Sequence, residues 1–160
     1  MNLHILVGNI TTINHIDILV NSANKSLLRG GGVCGSIHKA GGSSIEDECK
    51  TKYPNGIKET QVVITTAGNL NAKYLIHVVP PKFNLVDNAE DMLRECYKNI
   101  FKVAKELNCN SICLPFIGAG ISSYPNDIAG KIAVEEINKW DIDDVVIVLY
   151  KEVDKKYFKI

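Results

Sequence analysis

The 160-residue sequence has no surplus of charge: Lys and Arg total 18, and so do Asp and Glu. Non-specific nucleic-acid binding depends on excess Lys and Arg, so the balance argues against such a partner. One local cluster, Lys151, Lys155, Lys156 and Lys159, stays open as either a basic patch or a solvated tail. No apolar run approaches the roughly 18 residues of a membrane span, and no membrane partner is expected. The opening "MNLHILVGNI" has neither a basic stretch nor a cleavage site, so it does not read as a signal peptide. The cysteines (Cys34, Cys49, Cys96, Cys109, Cys113) are odd in number and form no C-x-x-C pair. They read as reduced thiols of a cytoplasmic protein, not as a disulfide frame. The four histidines (His4, His15, His38, His77) lack H-x-x-x-H or Cys/His spacing, which leaves a metal site without a basis. No repeat or linker divides the chain, and its length fits one domain over residues 1–160.

What is present is a globular composition, 46% apolar, arranged in short β-branched runs. These are "LHILVG" (3–8), "IDILVNS" (16–22), "TQVVITTA" (60–67), "KYLIHVV" (73–79), "SICLPFI" (111–117) and "DVVIVLY" (144–150). Continuous apolar character of this kind suits strands covered on both faces. Between them, "VCGSIHKAGG" and "SIEDECKTKY" read as short helices. "DNAEDMLRECYKNIFKVAKELN" reads as a long one, since Ala89, Met92, Leu93, Cys96, Ile100, Val103, Ala104 and Leu107 make one apolar stripe. Asp87 with Glu90 has the spacing of a capping box at its start. A further helix is predicted to open at Pro125 and to bury Ile128, Ile132, Ala133, Ile137 and Trp140. The order β, β, α, α, β, β, α, β, α, β implies an α/β protein: a three-layer α/β/α sandwich around a mixed, mostly parallel sheet of about six strands. A link of about six residues joins the third and fourth strands as a hairpin.

Two glycine-rich turns, "RGGGVCG" (29–35) and "FIGAGIS" (116–122), follow strands and precede helices. Ligands of such sheets bind beyond the carboxyl ends of the strands, which puts both turns at one mouth. Glycine lets the backbone approach a ligand, and free N–H groups at a helix start favour an anion. Facing each other, the two turns can clamp a diphosphate. Gly30, Gly32 and Gly35 satisfy G-x-G-x-x-G, yet "NSANKSLLR" separates them from the strand and no acidic residue ends the next strand, so the match is no Rossmann fingerprint. A P-loop fails for want of a following Lys-Ser/Thr, and there is no G-x-S-x-G elbow.

The stretch "GNITTINHIDILVNSANKSLLRGGGVCGSIHKAGG" resembles the opening of a macro domain, whose usual pattern is G-D-I-T, then V-N-A-A-N, then G-G-G-V-D-G-A-I-H. "AKYLIHVV", "CLPFIGAGISSYPNDIAGKIAVEEI" and "VVIVLYKEVDKKYF" are similar to that family's middle strand, second phosphate loop with its helix, and last strand. The likeness is to the MacroD-type, O-acetyl-ADP-ribose deacetylase-like and viral members. It implies the macro domain fold and an ADP-ribose site, with no cofactor, acting as a monomer. Asn9 stands where an Asp accepts from the adenine amino group, and the lost charge assistance would cost about 1 kcal/mol. Ile10 would touch adenine through its backbone and Tyr150 would pack on the ring. Asn24 would face the distal ribose, with Asn21 bracing the loop. Gly31, Gly32 and Val33 would form the first diphosphate loop, and Gly118, Ala119, Gly120 and Ile121 the second. His38 has a structural role in this reading.

Two departures concern chemistry. Cys34 replaces an Asp that helps position water in hydrolytic members, and Ser122 and Ser123 replace an aromatic and a Gly beside the distal ribose. Cys34 is accordingly open between a small packing residue and a catalytic thiol. The resemblance implies hydrolysis of ADP-ribosyl esters, either mono-ADP-ribose on protein carboxylates or O-acetyl-ADP-ribose. Asn24, Cys34 and Gly32 are the candidate catalytic residues. The partner would be ADP-ribose or an ADP-ribosylated protein. The alternative is a non-catalytic ADP-ribose reader, and RNA or poly(A) binding through the adenine site is a third class disfavoured by net neutrality.

Overall fold

The structure, a computed structural model, describes residues 1–159. The strands are β1 (Asn2–Val7), β2 (Ile16–Ser22), β3 (Val62–Thr65), β4 (Ala72–Val78), β5 (Ser111–Pro115) and β6 (Asp144–Leu149). The helices are α1 (Gly32–Gly41), α2 (Ser43–Lys52), α3 (Ala89–Glu106) and α4 (Asn126–Ile137). All six strands form one sheet in the order β1-β6-β5-β2-β4-β3. Each neighbouring pair is parallel except β3 and β4, the predicted hairpin.

Alternation along the strands decides which helix each side chain meets. Ile18, Val20, Ile76, Val78, Ile112, Leu114, Val145 and Ile147 point to one face, where Leu93, Tyr97, Ile100 and Phe101 of α3 and Ile132 and Ile137 of α4 cover them. Leu19, Leu75, Cys113 and Val148 point to the other, under Ile37 of α1 and Ile45 of α2. The result is the expected three layers. Burying one such aliphatic side chain contributes about 1.5–3 kcal/mol, which is why interior strands tolerate so few polar residues.

Two helix starts differ from the sequence reading. α3 begins at Ala89 after Asn88, whose side chain makes no capping bond. Asp87 therefore lies outside the helix, one position too early to form a capping box with Glu90. Pro125 occupies the position before α4 and not its first turn. Its ψ of 132° is extended, so the chain turns helical only at Asn126. Ile128 and Trp140 are half-buried, and Trp140 lies past the helix, stacked on Phe101 with ring centroids 6.0 Å apart.

Five of the six strands run the same way, so their carboxyl ends share one edge of the sheet. Asn9 and Ile10 follow β1, Asn24 to Gly31 follow β2, Ile117 to Ser122 follow β5, and Tyr150 follows β6. β2 and β5 are neighbours, which sets the two glycine turns side by side. Among the described residues no helix is long and apolar enough to cross a membrane.

Candidate functional site

The first glycine turn runs into α1 through Gly31, which caps the helix with no side-chain hydrogen bond. The N–H groups of the first helical residues, Gly32, Val33 and Cys34, have no carbonyl a turn behind them, and no acidic residue occupies that first turn. Gly32 takes a φ of +57°, and a side chain placed there would meet nothing within 4 Å. Gly35 is different: a Cβ on it would run into the Gly30 carbonyl, so its hydrogen lets the turn fold back onto α1. Gly31 and Gly32 thus face open space, while Gly35 is a packing glycine.

The turn is tied down at several points. Asn24 donates from Nδ2 to the Leu28 carbonyl at 2.9 Å and accepts from Ser26 Oγ at 2.6 Å. The Arg29 N–H donates to Glu46 of α2 at 2.8 Å, and that bond holds the Glu46 carboxyl below its ordinary pKa. Asn24 itself is exposed, and its second amide hydrogen and second lone pair remain for a ligand.

Behind the turn lies a buried polar chain. Asn21 on β2 and His77 on β4 are directly paired in the sheet, and both are fully buried on the α1 face. The Thr65 hydroxyl donates to the Thr66 carbonyl at 2.9 Å, so it accepts from His77 Nε2 at 2.9 Å. His77 Nδ1 is then the acceptor, and Asn21 Nδ2 donates to it at 3.0 Å. Burial pushes His77 down to about 4, and the nearby His38 adds to that. The Asn21 amide also reaches Cys34 Sγ at 3.8 Å, and the thiol points to the Leu28 carbonyl at 3.7 Å. Cys34 is 6% exposed, with both sides of its sulfur engaged. That surrounding packs the thiol between Asn21 and the carbonyl of the turn. Asn21, expected to brace the loop, is fully buried and bonded to His77. His38 is buried with neither ring nitrogen partnered, and desolvation lowers its pKa.

The second turn rests on apolar groups. Gly118 has a φ of +93° and packs against Tyr124 and Leu93. Tyr124 donates its hydroxyl to the Ala89 carbonyl at 2.6 Å, and Phe83 meets its ring edge-on at 5.2 Å. Ala119 leads uncapped into a tight turn, Gly120–Ser122, and Gly120 faces open space. Ile121 is 85% exposed, Ser122 is buried, and Ser123 takes the left-handed conformation. A Gly would fit that last position without strain.

At the far end of the same edge, Asn9 Oδ1 accepts from the Thr11 backbone N–H at 2.9 Å and from Thr11 Oγ1 at 2.7 Å. The oxygen assigned to a base by resemblance is already engaged. Ile10 beside it is buried. Tyr150 is 58% exposed, which a strand-end core aromatic would not be. A separate cavity of about 660 Å³ lies against α4 and the C-terminal turn, lined by residues including Lys131, Glu135, Lys156 and Tyr157, and holds none of the predicted site residues.

Sequence reading did not single out His77, Thr65, Thr11, Glu46 or the Tyr124–Ala89 bond. The signal for the first was there: a histidine amid the apolar "YLIHVV".

A family model described as Macro domain matches residues 20–133. The human ADP-ribose glycohydrolase MACROD2 is 38% identical over 160 residues, spanning 95% of this chain and 37% of that protein. The Oceanobacillus iheyensis macrodomain with ADP superposes with a TM-score of 0.90 at 34% identity, covering 98% of this chain and 87% of that one. The Trypanosoma brucei macrodomain in complex with ADP-ribose gives 0.89 at 30%, covering 98% and 67%.

Proposed function

The chain belongs to the macro domain family, and from that premise we propose that it binds ADP-ribose and hydrolyses ADP-ribosyl esters. The observation that carries the reading is the pair of open glycine turns on neighbouring parallel strands, one of them leading uncapped into a helix. Uncapped N–H groups with the positive end of a helix dipole suit a diphosphate bridge. The relative named as an ADP-ribose glycohydrolase and the solved structures with ADP and ADP-ribose agree with that ligand.

In this reading residues 1–160 act as one domain and as a monomer. The diphosphate lies between Gly31–Val33 and Gly118–Ile121. The base lies at Asn9, Ile10 and Tyr150, and the distal ribose near Asn24. Water held beside Gly32 and Asn24 attacks the anomeric carbon; the bond to the protein carboxylate breaks, the carboxylate leaves and the water's proton passes to solvent. With O-acetyl-ADP-ribose the water attacks the ester carbonyl and the ribose oxygen leaves with a proton. Orientation by the two turns supplies the acceleration, since holding reactants in place can be worth roughly 7–11 kcal/mol. Cys34 supports the first turn from below. The five cysteines, all free and buried, favour a reducing, cytoplasmic setting.

The test is release of ADP-ribose from a glutamate-modified protein and of acetate from O-acetyl-ADP-ribose. Wild type should release product, and Asn24→Ala should be slowed at least about 10-fold, as loss of an orienting hydrogen bond requires. One observation favours a second reading, a non-catalytic reader: Ser122 is small and turned inward, so nothing from that position covers the distal ribose. Tight ADP-ribose binding with no release above buffer would select it.

A further inference from the structure

A line of hydrogen bonds runs from the interior of the sheet to Asn24. His77 Nδ1 accepts from Asn21 Nδ2 at 3.0 Å, and the same amide nitrogen, with its second hydrogen, donates to Cys34 Sγ at 3.8 Å. The thiol in turn donates to the Leu28 carbonyl at 3.7 Å. That carbonyl also accepts from Asn24 Nδ2 at 2.9 Å, so both of its lone pairs are used. Gly30 reports the proximity independently: a Cβ there would lie 3.2 Å from Asn24 Nδ2 and 3.9 Å from Cys34 Sγ. Asn21, His77 and Cys34 are buried and Asn24 is exposed, so the line has an inner end and an outer one.

The inner end sets the direction of the donors. The Thr65 hydroxyl is committed to the Thr66 carbonyl, so His77 carries its proton on Nε2 and shows Asn21 a bare Nδ1. Burial keeps the ring neutral; His38 of α1 acts in the same sense and Glu48 of α2 in the opposite one. Asn21 Oδ1 is buried without a partner among the described residues, so the acceptor offered by His77 is what fixes the orientation of the amide. A hydrogen on Nδ1 would call for the amide oxygen instead, and Cys34 Sγ would lose its donor. We propose that His77 is a positioning residue for ester hydrolysis, acting through Asn21, Cys34 and the Leu28 carbonyl to aim the Asn24 amide. The inference rests on the functional reading for setting Asn24 at the distal ribose. Aim matters most at the reacting end, where a small displacement costs rate, while the phosphates and the base are held by other groups.

Steady-state release of ADP-ribose from a glutamate-modified protein tests this on the wild type, His77→Asn and His77→Gln. Asn places a side-chain oxygen where Nδ1 stands and keeps an acceptor for Asn21. Gln places its amide where Nε2 stands, beside Thr65. His77→Gln should lower kcat about 10-fold with KM little changed, as misplacement of an orienting group requires. His77→Asn should recover most of that loss, although it fills the site less well. A merely structural role would rank the two variants by thermal stability and not by the acceptor they keep. Equal losses of kcat, a larger loss in His77→Asn, or a change confined to KM would overturn the inference while leaving hydrolysis established. Absence of turnover by the folded wild type would remove the hydrolytic reading and the inference together. Nitrogen NMR of the wild-type His77 ring needs no variant: a proton on Nε2 is expected. A proton on Nδ1 would overturn the inference, whether or not the variants fold.

Discussion

Behind Gly30–Gly35 stand Asn21, His77, Thr65 and Cys34, joined by hydrogen bonds. Behind Gly118–Gly120 stand Tyr124, Leu93 and Phe83, held by ring and methyl packing with a single hydroxyl bond. The turns do the same geometric job on adjacent strands, but one is supported by a chain containing a histidine and the other by rings, a methyl group and a hydroxyl that burial keeps protonated. Support by a buried polar chain fixes one side-chain arrangement, because every unmatched group there is costly. Support by rings is tolerant of pH and less selective in geometry. Rigidity at the first turn should therefore depend on proton concentration, and rigidity at the second should not.

The largest effect expected comes from forcing the first turn off its helix. Gly35→Ala places a methyl group against the Gly30 carbonyl, so the backbone of the turn must shift. Overpacking of that kind costs about 3 kcal/mol, and ADP-ribose affinity should fall with it. Gly32→Ala is the control: its methyl enters open space, and only the positive φ costs, about 1 kcal/mol. Thermal denaturation of the two variants should separate them, and equal losses would mean that Gly35 does not anchor the turn.

Next comes the proton. His77 is held neutral, down to about 4 from an ordinary 6.5, chiefly by burial. Well above pH 6.5 neither folded nor unfolded histidine is charged and the native state has its full stability. As pH falls towards 4 only the unfolded chain takes up the proton, so stability is lost with falling pH. At pH 5 the loss amounts to about 2 kcal/mol relative to pH 7. His38, also lowered by burial, adds in the same direction, while Glu48 opposes it at His77 and Glu46 at His38. Denaturation measured between pH 7 and 5 should show a shallower slope in His77→Gln than in the wild type. An unchanged slope would place the titration elsewhere.

The sheet was legible because its apolar runs are short, β-branched and separated by helical periodicity, so all six strands and the β3–β4 hairpin were readable. Ends were less so. Whether Asp87 or Asn88 precedes a helix, or Pro125 lies inside one, turns on a single ψ angle that composition does not encode. Family resemblance located the mouth, but its inner wall is a matter of register. Asn21 meets His77 only because β2 and β4 are paired parallel with those residues opposite. The sequence separation of 56 residues hides that meeting. The Asn9–Thr11 bond is the converse case: a local Asx turn two residues long, readable from "GNIT".

The smallest effect expected is at the second turn. Tyr124→Phe removes one hydroxyl and leaves the ring that packs on Gly118 and Phe83. The bond lost, to the Ala89 carbonyl at 2.6 Å, is buried, and its absence should cost about 1 kcal/mol. Burial raises the Tyr124 pKa well above its ordinary value, so the hydroxyl stays protonated wherever the protein is folded. The cost should therefore be the same at pH 5 and pH 7, measured by denaturation at both. The same pair of measurements on His77→Gln should give different values. If the Tyr124→Phe cost also varied with pH, the second turn would have to be coupled to the buried histidines across β2 and β5, and the division of support between the two turns would fail.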